Sequence, residues 1–152
     1  MAAQTTPTTT TTATPLSYFV SVGGEYLRGT TNFEAGIVNF GVCGAQLCSV
    51  STLETGAATS TVRTGVGYQL VKSGAMSLIA LADAGVTASS APSVALGNVG
   101  GGFLIRYSLG VAHPSLKNVG LTAGVRIAGV SGQSVQPEFM AAVSYWFGGG
   151  GK

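Results

Sequence analysis

From Leu16 almost to the C-terminus, apolar residues return at every second position, and this period of two limits what the chain can form. The last such stretch is the most regular. Phe139, Ala141, Val143, Tyr145 and Phe147 alternate with Glu138, Met140, Ala142, Ser144 and Trp146. In a β-strand the two sets face opposite ways. One face is apolar and ends in two aromatic rings, Tyr145 and Phe147, of the kind favoured at a membrane-water interface. A strand of this type can line a soluble core or meet lipid. Composition and the placement of charge separate the two.

Only 8% of the residues are charged and 45% are hydrophobic, with a mean hydropathy of +0.43. A soluble domain of this length carries about 25% charged residues. No stretch reaches the roughly 20 apolar residues of a membrane helix. The longest candidate, 75–82, is too short and is followed by Asp83. A membrane-like composition without a spanning helix leaves the closed β-barrel, the other backbone arrangement that satisfies its own hydrogen bonds in lipid. The 24 glycines follow no collagen period and suit tight turns and a crowded interior. A net charge of +2 with no basic cluster gives no reason to expect a nucleic-acid partner.

The 152 residues divide into three parts. Residues 1–15 are a Thr/Pro-rich, low-complexity segment expected to be disordered, residues 16–147 are the barrel, and residues 148–152 are a Gly-rich tail. Met1-Ala2-Ala3-Gln4 lacks the basic start and apolar core of a signal peptide, and resembles the residues that follow a cleavage site. The first strand is expected over 16–27. A second follows over 33–42, with Phe33, Ala35 and Ile37 on the apolar face opposite Glu34 and Gly36, and with a bulge where Asn39 and Phe40 break the pattern. The third, 49–54, is short. The fourth places Val62, Thr64, Val66, Tyr68 and Leu70 opposite Arg63, Gly65, Gly67 and Gln69, before a turn at Lys72-Ser73-Gly74. Residues 75–84 read as a strand or a short helix, and the flanking turn signals favour the strand. A long sixth strand bends at Gly100-Gly101-Gly102 and ends with Phe103, Ile105 and Tyr107 opposite Leu104 and Arg106. Residues 119–128 form the seventh, and the stretch ending at Phe147 the eighth.

Charged strand residues fall on the small or polar face: Glu25, Glu34, Arg63, Asp83, Arg106, Arg126 and Glu138. Arg28, Glu54, Lys72, Lys117 and Lys152 are assigned to turns or the tail. A soluble sheet turns its apolar face inward and its charges to water. Here the charged face also carries the glycines, so it is assigned to a narrow interior. There the seven charges are expected to pair, because burying one sign alone is costly. Tyr18, Tyr26, Tyr68, Tyr107, Tyr145 and Phe147 are the expected interface aromatics. Cys43 and Cys48 bracket a four-residue turn. A disulfide across the hairpin and two free thiols both remain open, while one histidine and a single cysteine pair speak against metal.

With these residues in view, the chain resembles the small eight-stranded outer-membrane β-barrels, the class of OmpA-like transmembrane domains. The strand number, the Arg/Glu interior and the Tyr145-x-Phe147 ending carry the likeness across 16–147. The resemblance implies an all-β, antiparallel, up-and-down transmembrane barrel of the bacterial outer membrane. It also implies a lipid bilayer as partner, and a barrel-insertion machinery that reads Phe147. The chain departs from the family at Ala142, where a glycine is usual, and in the glycines after Phe147. The expected role is structural or anchoring, or minor transport, with no wide pore, no enzyme activity and no cofactor. An interior of eight strands holds side chains and little else. Two other readings stand beside it: a secreted soluble β-sandwich or fibre subunit, and a lipid-modifying enzyme. The latter rests on His113 and Ser115, with Glu138 as a distant carboxylate.

Overall fold

The computed structural model describes residues 15–27, 33–90, 93–132 and 135–148. Eight strands follow in order: β1 (Ser17–Leu27), β2 (Phe33–Cys43), β3 (Leu47–Thr55), β4 (Thr59–Ser73), β5 (Met76–Ser90), β6 (Ser93–Ser108), β7 (Val119–Val130) and β8 (Gln136–Gly148). Each pairs antiparallel with the next, and β8 closes on β1, from Ser17 opposite Gly148 to Leu27 opposite Glu138. One closed sheet leaves no edge strand. This sets aside the two-sheet sandwich.

Alternation decides which side chains enter the ring. Val22, Val62, Val99, Phe103, Ile127 and Val143 point outward and are exposed, whereas Glu25, Arg63, Asn98, Arg126, Glu138 and Ser144 are buried. Water would penalise this inside-out distribution, and hydrocarbon favours it. The structure is therefore a transmembrane barrel, and 75–84, the segment readable as strand or helix, lies in β5.

Strand β2 departs from the sequence expectation. Ala35, Ile37 and Asn39 face inward, Gly36, Val38 and Phe40 outward, and the register with β1 and β3 runs without a shift. No bulge is needed, because Asn39 is an interior residue that bonds Ser21 and Thr52. The apolar start of the strand lines the lumen instead of the lipid. A register shift does occur elsewhere, between Gln69 and Val71 of β4. Strand β6 keeps an unbroken register with β5 through the three glycines, so they mark no break in the ladder. Strand β3 extends beyond the expected segment at both ends, and Glu54 and Lys72 belong to strands, not turns.

The β2–β3, β4–β5 and β6–β7 connections share one end of the barrel with the start of β1 and the finish of β8. The β4–β5 turn is tight, and Gly74 takes a positive φ of 56° there. The β6–β7 connection is longer and folds into two 3-10 turns, Leu109–Val111 and Pro114–Leu116. Residues 1–14 and 149–152, which hold most of the expected N-terminal segment and tail, lie outside the described residues.

Candidate functional site

The interior is built in layers. Arg63 of β4 donates from Nη1 to Glu54 Oε2 at 2.8 Å and from Nη2 to Glu25 Oε2 at 3.4 Å. Arg126 of β7 donates from Nη1 to Glu138 Oε2 at 2.6 Å, from Nε to both Asp83 oxygens at 2.9 and 3.0 Å, and from Nη2 to Asn98 Oδ1 at 2.7 Å and to Asp83. Glu138 joins the two halves, because the same oxygen lies 3.6 Å from Arg63 Nη1. Asn98 extends the chain by donating to Thr87, whose hydroxyl lies 3.0 Å from that of Thr61. Among the described side chains, every strand except β2 contributes to this network. Arg126 is wholly buried and Arg63 2% exposed, so both depend on these partners for the solvation that water would supply.

Of the seven charges expected to pair, Glu25, Arg63, Asp83, Arg126 and Glu138 do so. The side chain of Glu34 lies outside the described residues. Arg106 departs from expectation: among the described residues it pairs with no carboxylate, and its guanidinium lies 4.3 Å from the ring centre of Trp146. The reason is axial position. The described carboxylates gather toward the end away from the chain termini, while Arg106 faces Ser77 and Thr122 nearer the other end. Glu54 joins the network although the sequence reading assigns it to a turn, because β3 continues to Thr55 and turns its side chain inward. The alternation of Thr52 and Glu54 about the exposed Leu53 carries the signal.

Below the charge layer lies a cavity of about 70 Å³, bordered by Arg63, Asp83, Arg106 and Trp146. Phe19 stacks on Trp146 with ring centres 4.8 Å apart, and both rings border that cavity together with Arg106. Beyond them the barrel opens into a mouth of about 500 Å³ at the end that carries the chain termini. Cys43 and Cys48 form a disulfide across the β2–β3 hairpin, their Cα atoms 4.0 Å apart, and border both spaces.

Outside, Tyr18, Tyr26, Tyr68, Tyr145 and Phe147 are exposed, whereas Tyr107 is partly covered. Tyr18 stacks on Phe147 with ring centres 5.9 Å apart. The Tyr68 hydroxyl donates to Gln46, and that of Tyr145 accepts from Asn118, which tie two rings to connections at the same rim. An apolar ring with its hydroxyl at the polar edge suits the boundary between hydrocarbon and water. His113 and Ser115 are exposed in the β6–β7 connection, while Glu138 is engaged by arginine inside the barrel. The structure does not bring these three together. No group of His, Cys, Asp and Glu among the described residues has the arrangement of a metal site.

Closed by eight strands, apolar outside and ion-paired within, the chain has the architecture of a small transmembrane β-barrel. Solved structures of that class share its fold. The Yersinia pestis outer membrane protein Ail in a phospholipid nanodisc aligns over 88% of this chain and 99% of its own, with a TM-score of 0.56 and 12% identity. A de novo designed transmembrane β-barrel aligns over 90% and 98%, with a TM-score of 0.54 and 14% identity. Neisserial surface protein A aligns over 87% and 94%, with a TM-score of 0.53 and 11% identity. No protein-family model matches the sequence, and no curated protein matches it.

Proposed function

We propose that this chain is an integral protein of the bacterial outer membrane that serves a structural or anchoring role and holds no open pore. The observation that carries the reading is the network spanning the lumen from Glu25 and Glu54 through Arg63, Glu138 and Arg126 to Asp83. Opening a bore would separate buried charges from the partners that solvate them, and leaving one such charge without a partner costs about 3–5 kcal/mol. Free diffusion of solutes is therefore not its work. The outward Tyr145 and Phe147 of β8 offer the aromatic ending that the barrel-insertion machinery would read.

Planar-bilayer recording with the folded protein tests the closed lumen. The expected trace stays at the conductance of the bare membrane, and steady ohmic steps in the wild-type protein would refute the reading. Fractionation of expressing cells tests the location, with the protein expected in the outer-membrane fraction.

A further inference from the structure

The charge of this barrel is sorted along its axis. The chain has five carboxylate side chains, Glu25, Glu34, Glu54, Asp83 and Glu138. The four whose side chains are described all sit in the network of Arg63 and Arg126. The mouth at the other end is lined instead by three cations, Arg106, Lys72 and Lys117. No described carboxylate lines it, and neither 1–14 nor 149–152 contains an Asp or Glu.

Strand register and the β6–β7 connection bring the three cations to this mouth, where Lys72 and Lys117 are exposed and Arg106 is half-buried. Arg106 of β6 is opposite Ser77 of β5, and Ser77 is opposite Lys72 of β4, so Lys72 and Arg106 share one row of the sheet with Ser77 between them. Two strand spacings put the backbones of Lys72 and Arg106 about 10 Å apart. Lys117 follows the second 3-10 turn, and its Cα would stand 2.5 Å from a Cβ on Gly110, so the connection is closed tightly upon itself. The Arg106 guanidinium rests on Trp146, while its buried Nε has no hydrogen-bond partner. A guanidinium fixed on an aromatic face still presents donors in its own plane. Gln46, Gln69 and Asn118 add neutral donors around it.

We propose that this mouth is a binding site for a small oxyanion of the phosphate class, seated against Arg106 between Lys72 and Lys117. The low-dielectric barrel wall around the three charges strengthens their hold on an anion, and added salt weakens it. The site does not depend on the anchoring role and survives if that role is wrong.

Calorimetric titration of the folded full chain with inorganic phosphate, in maltoside micelles at low ionic strength, tests the site. Saturable binding is expected, weakened at least about tenfold by R106Q, the scale of losing a charge-assisted contact. If R106Q does not fold, the K72Q/K117Q double variant reads the same site through two exposed side chains, and several-fold weakening is expected. Absence of saturable binding, or equal affinity in the wild type and the variants, overturns the proposal. A second arm repeats the titration in nanodiscs with and without phosphatidylglycerol. Weaker phosphate binding in the anionic discs identifies lipid headgroups as competitors for the site, and equal binding identifies a soluble oxyanion as its ligand; both uphold the site.

Discussion

The guanidinium of Arg126 lies where a side chain on residue 100 would stand: a Cβ added to Gly100 would come 2.5 Å from Arg126 Nε. An arginine tip can usually swing aside, but this one is fixed by Asp83, Asn98 and Glu138. G100A should therefore destabilise the barrel by displacing a buried charge from its partners, by up to about 3–5 kcal/mol. In an R126Q background the same substitution should cost far less, because the neutral side chain has less to lose by moving. Urea unfolding of the four proteins in lipid vesicles measures the coupling, which residues in contact express as about 0.5–3 kcal/mol.

Glu54 and Lys72 test where charge matters. Glu54 is buried and lies 2.8 Å from Arg63, whereas Lys72 is exposed at the end of β4. E54Q should cost about 1–3 kcal/mol, since Arg63 keeps Glu25 and Glu138 as weaker partners. K72Q should stay within about 0.5 kcal/mol of wild type. The same unfolding assay separates them.

The fold was legible because the apolar face points outward along most strands, the start of β2 and the Ser49-Val50-Ser51 stretch of β3 being the exceptions. Val62 to Leu70 and Phe139 to Phe147 each name their outward face, and the low charge content tells which face meets lipid. Strand β2 misled because Ala35 and Ile37 are apolar and yet point inward, where they are buried. A two-residue period states which residues share a face, but not which face is inside, and a polar anchor such as Asn39 is needed to orient it. Pairing was harder to read than facing. Arg63, Arg126 and Arg106 all read as interior residues, yet the height of each along the axis comes from strand register. Register left Arg106 with Trp146 in place of an acid.

The disulfide should matter modestly. Cys43 and Cys48 lie directly opposite in the β2–β3 ladder and close a loop of sequence separation 5. So short a loop removes little entropy from the unfolded chain, on the order of 2 kcal/mol in the chain-entropy account. The C43S/C48S variant should fold, keep its closed barrel, and lose no more than about that amount. A gel comparison of boiled and unboiled samples, with and without reductant, checks that the barrel persists when the bond is gone.

Val22 gives the sharpest test of the environment outside the barrel. It sits near the middle of β1, faces Val38 and Val143 across the sheet, and is 62% exposed. If water covered that face, V22R would be close to neutral, as for surface substitutions in general. Against hydrocarbon the arginine has no partner at that depth, and the cost should reach about 2–4 kcal/mol, falling toward the rims. An arginine replacing Tyr145, nearer the terminal rim, should therefore pay a smaller desolvation penalty than one replacing Val22. Parallel unfolding of V22R and Y145R in vesicles reads that gradient. Equal, negligible effects at both sites would mean that the outer surface is wet.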